Sequence, residues 1–265
     1  MKLNICTTGL LLTTLAGLSM NANAETGLPW SSSFETGNIS EWNGFNSGVV
    51  QISTNSPADG SYAASVDLVA NTLNGENYLE HYFGDHIRTG LEKVEEVWLK
   101  FSSKFESGYQ WPDRQSHKIA LINLTNGSSS QRTYQVYIYA TPSGEYAIDH
   151  TDIADWRFYG LSQNVGAPAA VRFDQWDELK LYTRLNTPGQ SDGIIRLWIN
   201  GELKLDYTGL DIRENTTDGM NKLIQSSYTS AQSGGNGRQW YDNWSLTLTD
   251  PDAGSPPSPP VMITQ

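Results

Sequence analysis

WDELKLYTRLNTPGQSDGIIRLWINGELKLDYTGLDIR, Trp176 to Arg213, decides the fold class. Within it WDELKLYTRL (176–185), IIRLWI (194–199) and ELKLDY (202–207) alternate apolar and polar residues with period two, and Asn200-Gly201 separates the last two runs. A period of two puts successive side chains on opposite faces of a strand, and an Asn-Gly pair between such runs is the strongest short hairpin signal. Working outward, VEEVWLKFSSKF (94–105), HKIALINL (117–124), TYQVYIYAT (133–141), EYAIDHTD (145–152) and WYDNWSLTL (240–248) read the same way, with Pro142-Ser143-Gly144 as a second hairpin turn. Few segments carry the 3.6-residue helical period, and many short strands between Gly, Asn, Asp and Pro turns are the pattern of a sandwich. The expectation is a single all-β domain over residues 25–250, of about 220 ordered residues and large enough for an adequate core.

Lys2 precedes the apolar run GLLLTTLAGL, which ends in Ala22-Asn23-Ala24, a small-residue cleavage pattern. Residues 1–24 are therefore expected to be a signal peptide, and the mature protein to be secreted, extracellular or periplasmic. Cys6 leaves with that peptide, so the 241 mature residues hold no cysteine and can form no disulfide or thiolate metal site. No other apolar run approaches the roughly 18 residues of a membrane helix. The formal net charge of −12 becomes −13 once Lys2 is removed, which argues against nucleic acid and anionic membrane as partners. Nine Trp, thirteen Tyr and abundant Gly suit an all-β domain displaying flat aromatic surfaces on which sugar rings stack. The prolines of residues 251–265 keep that segment out of a sheet, and it is expected to be a flexible tail.

The segment Trp176 to Arg213 resembles the paired back-sheet strands of concanavalin A-like jelly rolls, and closely those of secreted polysaccharide lyases of the alginate and glucuronan type. EEVWLKFSSKFESGYQWPDRQSHKIALI also resembles their paired strands and the lysine-bearing loop that follows. The resemblance implies a jelly-roll sandwich of two antiparallel sheets and β-elimination on a uronate-containing, anionic polysaccharide, by a monomer without an organic cofactor. A non-catalytic carbohydrate-binding protein is the alternative. A glycoside hydrolase ranks third, because the E-x-D-x-x-E strand that hydrolytic sandwiches display is absent.

In HKIALINL, strict alternation groups His117, Ile119 and Leu121 with Gln115, and Lys118, Ala120 and Ile122 with Ser116; in TYQVYIYAT, Gln135, Tyr137 and Tyr139 share a face. A β-eliminating lyase needs a group to neutralise the carboxylate, a base for the proton beside it and an acid for the leaving oxygen. In the resembled families a basic residue and a Tyr-x-Tyr pair serve, and His117-Lys118 and Tyr137-Ile138-Tyr139 match them. The expected catalytic set is His117, Lys118, Tyr137 and Tyr139, with His117 or a tyrosine as base. Gln135, Lys118 or Arg132, with Arg114 as the alternative to Arg132, are expected to grip the carboxylate, together with Gln115. Trp111 is expected to stack on sugar, and Arg238 and Tyr228, beside the glycine-rich stretch 230–240, to contact it.

His150 lies on the face of Tyr146 and Ile148 and is expected to be structural, with base catalysis in reserve. His81 and His86, five apart with no evident third ligand, do not read as a zinc pair. Trp98, Trp176 and Trp198 fall within strand patterns and are expected in the core. The opening SSSFETGNISEW and the closing WYDNWSLTL resemble adjacent strands that often hold structural calcium, with Glu35 and Asp242 as the matching carboxylates. On the residues alone, Glu35 serves equally as a turn carboxylate and Asp242 as a strand cap.

Overall fold

The computed structural model describes residues 27–45, 50–69, 78–88, 90–112, 117–126, 132–152, 155, 157–228 and 236–253. The expected signal peptide with Cys6, the candidates Arg114 and Gln115, the side chain of Arg132 and residues 254–265 of the expected tail lie outside them. Fifteen strands carry the fold: β1 Trp30–Ser32, β2 Gly44–Phe45, β3 Val50–Ser53, β4 Ala63–Leu68, β5 Tyr78–Tyr82, β6 Glu96–Phe105, β7 His117–Thr125, β8 Arg132–Ala140, β9 Tyr146–Asp152, β10 Arg157–Leu161, β11 Asp177–Arg184, β12 Gly193–Ile199, β13 Glu202–Leu210, β14 Met220–Tyr228 and β15 Gly237–Thr247. No helix occurs among the described residues.

The strands form two antiparallel sheets. An eight-stranded sheet runs β13-β12-β11-β6-β15-β4-β3, with β1 added against β15; a seven-stranded sheet runs β10-β9-β8-β7-β14-β5-β2. The hairpins read from sequence are present. Asn200 and Gly201, both at positive φ (54° and 80°), turn β12 into β13, the backbone shape that makes Asn-Gly favourable there. Opening and closing strands lie side by side, Trp30 opposite Leu246. The jelly-roll sandwich of two antiparallel sheets is therefore observed.

Alternation sets the core. Val97, Leu99 and Phe101 of β6, Leu179 and Leu181 of β11, and Ile195 and Leu197 of β12 share one buried cluster with Ile119, Ile122 and Leu124 of β7, Val136 and Ile138 of β8, and Tyr146 and Ile148 of β9. Each such side chain contributes about 1.5–3 kcal/mol by leaving water. Three tryptophans correct the sequence reading. Trp98 and Trp198 belong to the outer face of the eight-stranded sheet, their rings 5.6 Å apart with the Lys180 ammonium over both, and Trp176 donates Nε1 to the Ser56 carbonyl beside Lys104. Lys180 and Lys100 are in turn tied to Asp250 and Asp252, so the chain just beyond the last strand is pinned to that face.

Candidate functional site

The outer face of the seven-stranded sheet carries an organised polar floor, and strand register lays it out in rows. One row runs Phe158, Thr151, Gln135, Asn123, Lys222, Tyr82 across β10, β9, β8, β7, β14 and β5. The next runs Gly160, Asp149, Tyr137, Leu121, Ile224, Glu80. A third places Ala147, Tyr139, Lys118 and Tyr228 side by side. Directly opposite residues on neighbouring strands share a face, so these side chains meet.

Lys118 stands at the junction of the last two rows. Its ammonium lies 4.5 Å from the Tyr137 ring centroid and 5.5 Å from that of Tyr228, within cation–π range. The Tyr137 and Tyr139 rings are 5.9 Å apart. Burial, reinforced by the Asp149 carboxylate, raises both phenols above their ordinary value, so each holds its proton at neutral pH. The Asp149 carboxyl is itself pushed up by burial, against the opposing pull of the Thr151 hydroxyl, the Tyr159 N–H and Lys118. On the floor beside them Gln135 Nε2 donates to Asn123 Oδ1 at 2.9 Å. Asn123 is fully buried, and among the described residues its Nδ2 has no hydrogen-bond partner. An unmet buried donor costs about 1–3 kcal/mol, and a ligand acceptor at this place would satisfy it. Farther along, Lys222 pairs with Glu80 at 2.9 Å, and Tyr82 donates to the same carboxylate. At the opposite edge Phe158 is 56% exposed on this face.

The structure brings Lys118, Gln135, Tyr137, Tyr139 and Tyr228 together, and it separates His117 from them. A bulge in β7 between Lys118 and Ala120 inserts Ile119 as an extra residue against β8. Lys118 thereby falls opposite Tyr139 while Leu121 and Asn123 fall opposite Tyr137 and Gln135, and His117 turns into the core. Its Nδ1 meets the Tyr109 hydroxyl at 3.0 Å and its Nε2 the Gln239 Oε1 at 2.7 Å. Burial pulls its pKa down to about 4. The expected convergence of His117 with the tyrosines is corrected on that ground.

Two sugar contacts are corrected as well. Trp111 packs against Phe105, Tyr109 and His117 at the margin of the core, and the Gly144 turn closes over its indole. Arg238 belongs to the outer face of the other sheet, where its guanidinium forks onto both oxygens of Asp67. His150 lies on the inner face of β9 as expected, stacked on Tyr159. His81 stacks on Trp30 and bonds the Gly27 carbonyl.

Glu35 and Asp242 both grip the stretch 58–62. Asp242 accepts the N–H groups of Ala58 and Asn243, and Glu35 those of Ser61 and Tyr62. Burial raises the Asp242 pKa to about 6, with the nearby Glu35 charge adding to the rise. Both carboxylates are thus engaged by backbone N–H groups, and among the described residues no group of three or more His, Cys, Asp or Glu is placed to hold a metal.

Sequence reading missed Asn123, Asp149, Thr151 and Phe158. A signal for Asn123 was available: Asn123 and Thr125 alternate with Ile122 and Leu124, which places them with Lys118 only if one residue is inserted between.

A family model described as polysaccharide lyase matches residues 34–245. A search of curated proteins returns no match. Among solved structures, an endo-β-1,4-glucuronan lyase from the fungus Trichoderma reesei is similar with a TM-score of 0.60 at 15% identity, covering 83% of this chain and 95% of its own. An alginate lyase from Aplysia kurodai gives 0.57 at 13% identity, over 85% and 100% of the two chains. An alginate lyase from a Chlorella virus gives 0.55 at 14%, over 78% and 93%. At such identities the shared property is the fold.

Proposed function

The chain belongs to the polysaccharide lyase family, and from that premise we propose that it cleaves a uronate-containing glycan of the alginate or glucuronan type by β-elimination on the outer face of the seven-stranded sheet. One observation carries the reading: Lys118, Tyr137 and Tyr139 cluster above a buried amide pair, Asn123 and Gln135, with a donor to spare.

The roles follow from what each group can do. The N–H groups of Asn123 and Gln135 receive the uronate carboxylate and stabilise the charge that builds on it when the neighbouring carbon loses its proton. The phenols keep their protons at neutral pH, and Asp149 Oδ1 accepts from the Thr151 hydroxyl and the Tyr159 N–H. Lys118, which stands over the Tyr137 and Tyr228 rings, is assigned as the base: its ammonium first releases a proton, and the amine then takes the C5 proton. The electron pair forms the C4–C5 double bond, the C4–oxygen bond breaks, and the Tyr139 hydroxyl protonates the departing oxygen. Tyr228 and Phe158 flank the site and offer faces on which sugar rings stack.

The small-residue cleavage pattern at 22–24 supports export, and export would place a monomeric enzyme beside extracellular polymer. Mixing the mature protein with a panel of uronate polymers and following the ultraviolet absorbance of the unsaturated sugar end tests the reading. Binding without any unsaturated product on every polymer would leave a carbohydrate-binding protein in its place.

A further inference from the structure

Away from the outer face, a cavity of about 350 Å³ opens where the free edges of the two sheets approach each other, between β9–β10 and the chain that leaves β13. Its lining includes His150, Asp152, Arg157, Tyr159, Asp211 and Glu214. Strand alternation keeps it separate from the lyase site. His150 and Tyr159 point inward, whereas their neighbours Asp149, Thr151 and Phe158 point to the outer face.

Three features of this cavity point to a ligand. The His150 and Tyr159 rings stack face to face, 4.6 Å apart and within 8° of parallel, and Tyr159 is 40% exposed, so a flat aromatic wall meets solvent. His150 is 5% exposed and lines the cavity, with no hydrogen bond to either ring nitrogen among the described residues. Burial holds its pKa down at about 4, so at neutral pH the ring is uncharged and presents one nitrogen as an acceptor. Finally, among the described side chains the lining carboxylates Asp211 and Glu214 lie beside Arg157. Arg157 reaches Asp152 at 3.1 Å and Glu214 at 2.7 Å, and Asp211 is engaged on Oδ1 by Asn186 and the Glu214 N–H. Among the described side chains, the lining thus offers carboxylate and imidazole acceptors beside a flat aromatic face.

We propose that this edge cavity is a second ligand site, for a sugar ring bearing a protonated amine. The ring stacks on Tyr159, the ammonium sits among Asp211 and Glu214, and a ligand N–H or O–H satisfies His150. A uronate would meet repulsion from the same carboxylates, so this ligand differs in charge from the polymer proposed for the outer face. Sites of this volume take small molecules, and one sugar residue fits that scale.

The test is ligand-observed NMR on the mature protein at neutral pH, with glucosamine, glucose and glucuronate as probes, and with the variants Tyr159→Ala, His150→Phe and Glu214→Gln checked for folding by thermal melting. His150→Phe keeps the stacked wall and removes only the acceptor, and Glu214→Gln changes a partly exposed charge, so at least one variant reports even if another is destabilised. The expected result is binding of glucosamine at least tenfold tighter than glucose, none for glucuronate, and at least a tenfold loss in each folded variant. Equal binding of glucose and glucosamine overturns the role of the ammonium. Binding untouched by all three variants overturns the location, and no binding of glucosamine overturns the site.

Discussion

His117→Phe separates a structural histidine from a catalytic one. The wild-type ring is fully buried and bonds Tyr109 through Nδ1 and Gln239 through Nε2. Phenylalanine fills nearly the same space without either bond. Gln239 Oε1 keeps a second partner in the Ser227 hydroxyl, whereas the Tyr109 hydroxyl loses its bond to the ring. One unmet buried group costs about 1–3 kcal/mol, so the variant is expected to lose about 2 kcal/mol at pH 7. The pH dependence carries the sharper signature. With a folded pKa of about 4 against an ordinary 6.5, the folded state binds fewer protons than the unfolded chain between those values. The stabilisation is fully present above about pH 6.5 and is lost as pH falls toward about 4. Between pH 7 and pH 5 one such histidine accounts for about 2 kcal/mol of lost stability. Urea unfolding at the two pH values should show the variant shallower than wild type by that amount. His81 and His150, also held at about 4 by burial, keep the remaining slope in the same direction. Turnover on a uronate polymer should stay within a fewfold of wild type. A folded variant that loses lyase activity a hundredfold, with an unchanged acid slope, refutes the assignment and returns His117 to the chemistry.

Four further outcomes follow. Lys118→Arg should be as inactive as Lys118→Ala, each down roughly a hundredfold or more in kcat, because a guanidinium cannot be deprotonated to act as base; activity retained in the arginine variant would make Lys118 a carboxylate-binding cation instead. Tyr139→Phe should show a comparable loss in kcat with a normal melting curve, and full activity would remove it as the acid. Phe158→Ala should raise KM for polymer about three- to tenfold with little change in Tm, the scale of one lost stacking contact, and an unchanged KM would place the sugar elsewhere. Because the oxygens of Glu35 and Asp242 are held by backbone N–H groups, a chelator should leave Tm unmoved, while Asp242→Ala lowers it equally with and without chelator; a chelator effect that this variant abolishes would put a cation there after all.

The alternation of Gln135, Tyr137 and Tyr139 was legible in TYQVYIYAT, because a regular strand repeats every two residues and all three emerge on one face. The hairpin at Asn200-Gly201 was equally legible, since its two positive φ angles are set by local sterics that the residue types declare. The same alternation, applied to HKIALINL, put His117 rather than Lys118 on the face of the phenols. One inserted residue at Ile119 moves Lys118 onto the face of Asn123 and leaves His117 in the core. Whether a strand bulges is decided by the hydrogen-bonding register of its neighbours on both sides, here β8 and β14, and β14 is more than a hundred residues away in sequence. The assignment of Arg238 failed for a related reason. Its partner Asp67 comes from β4, and only the pairing of β15 with β4 places that carboxylate within reach. Local pattern therefore determined the strands, the turns and the phenols of the site, and tertiary register decided which cation stands among those phenols and which side chains belong to the core.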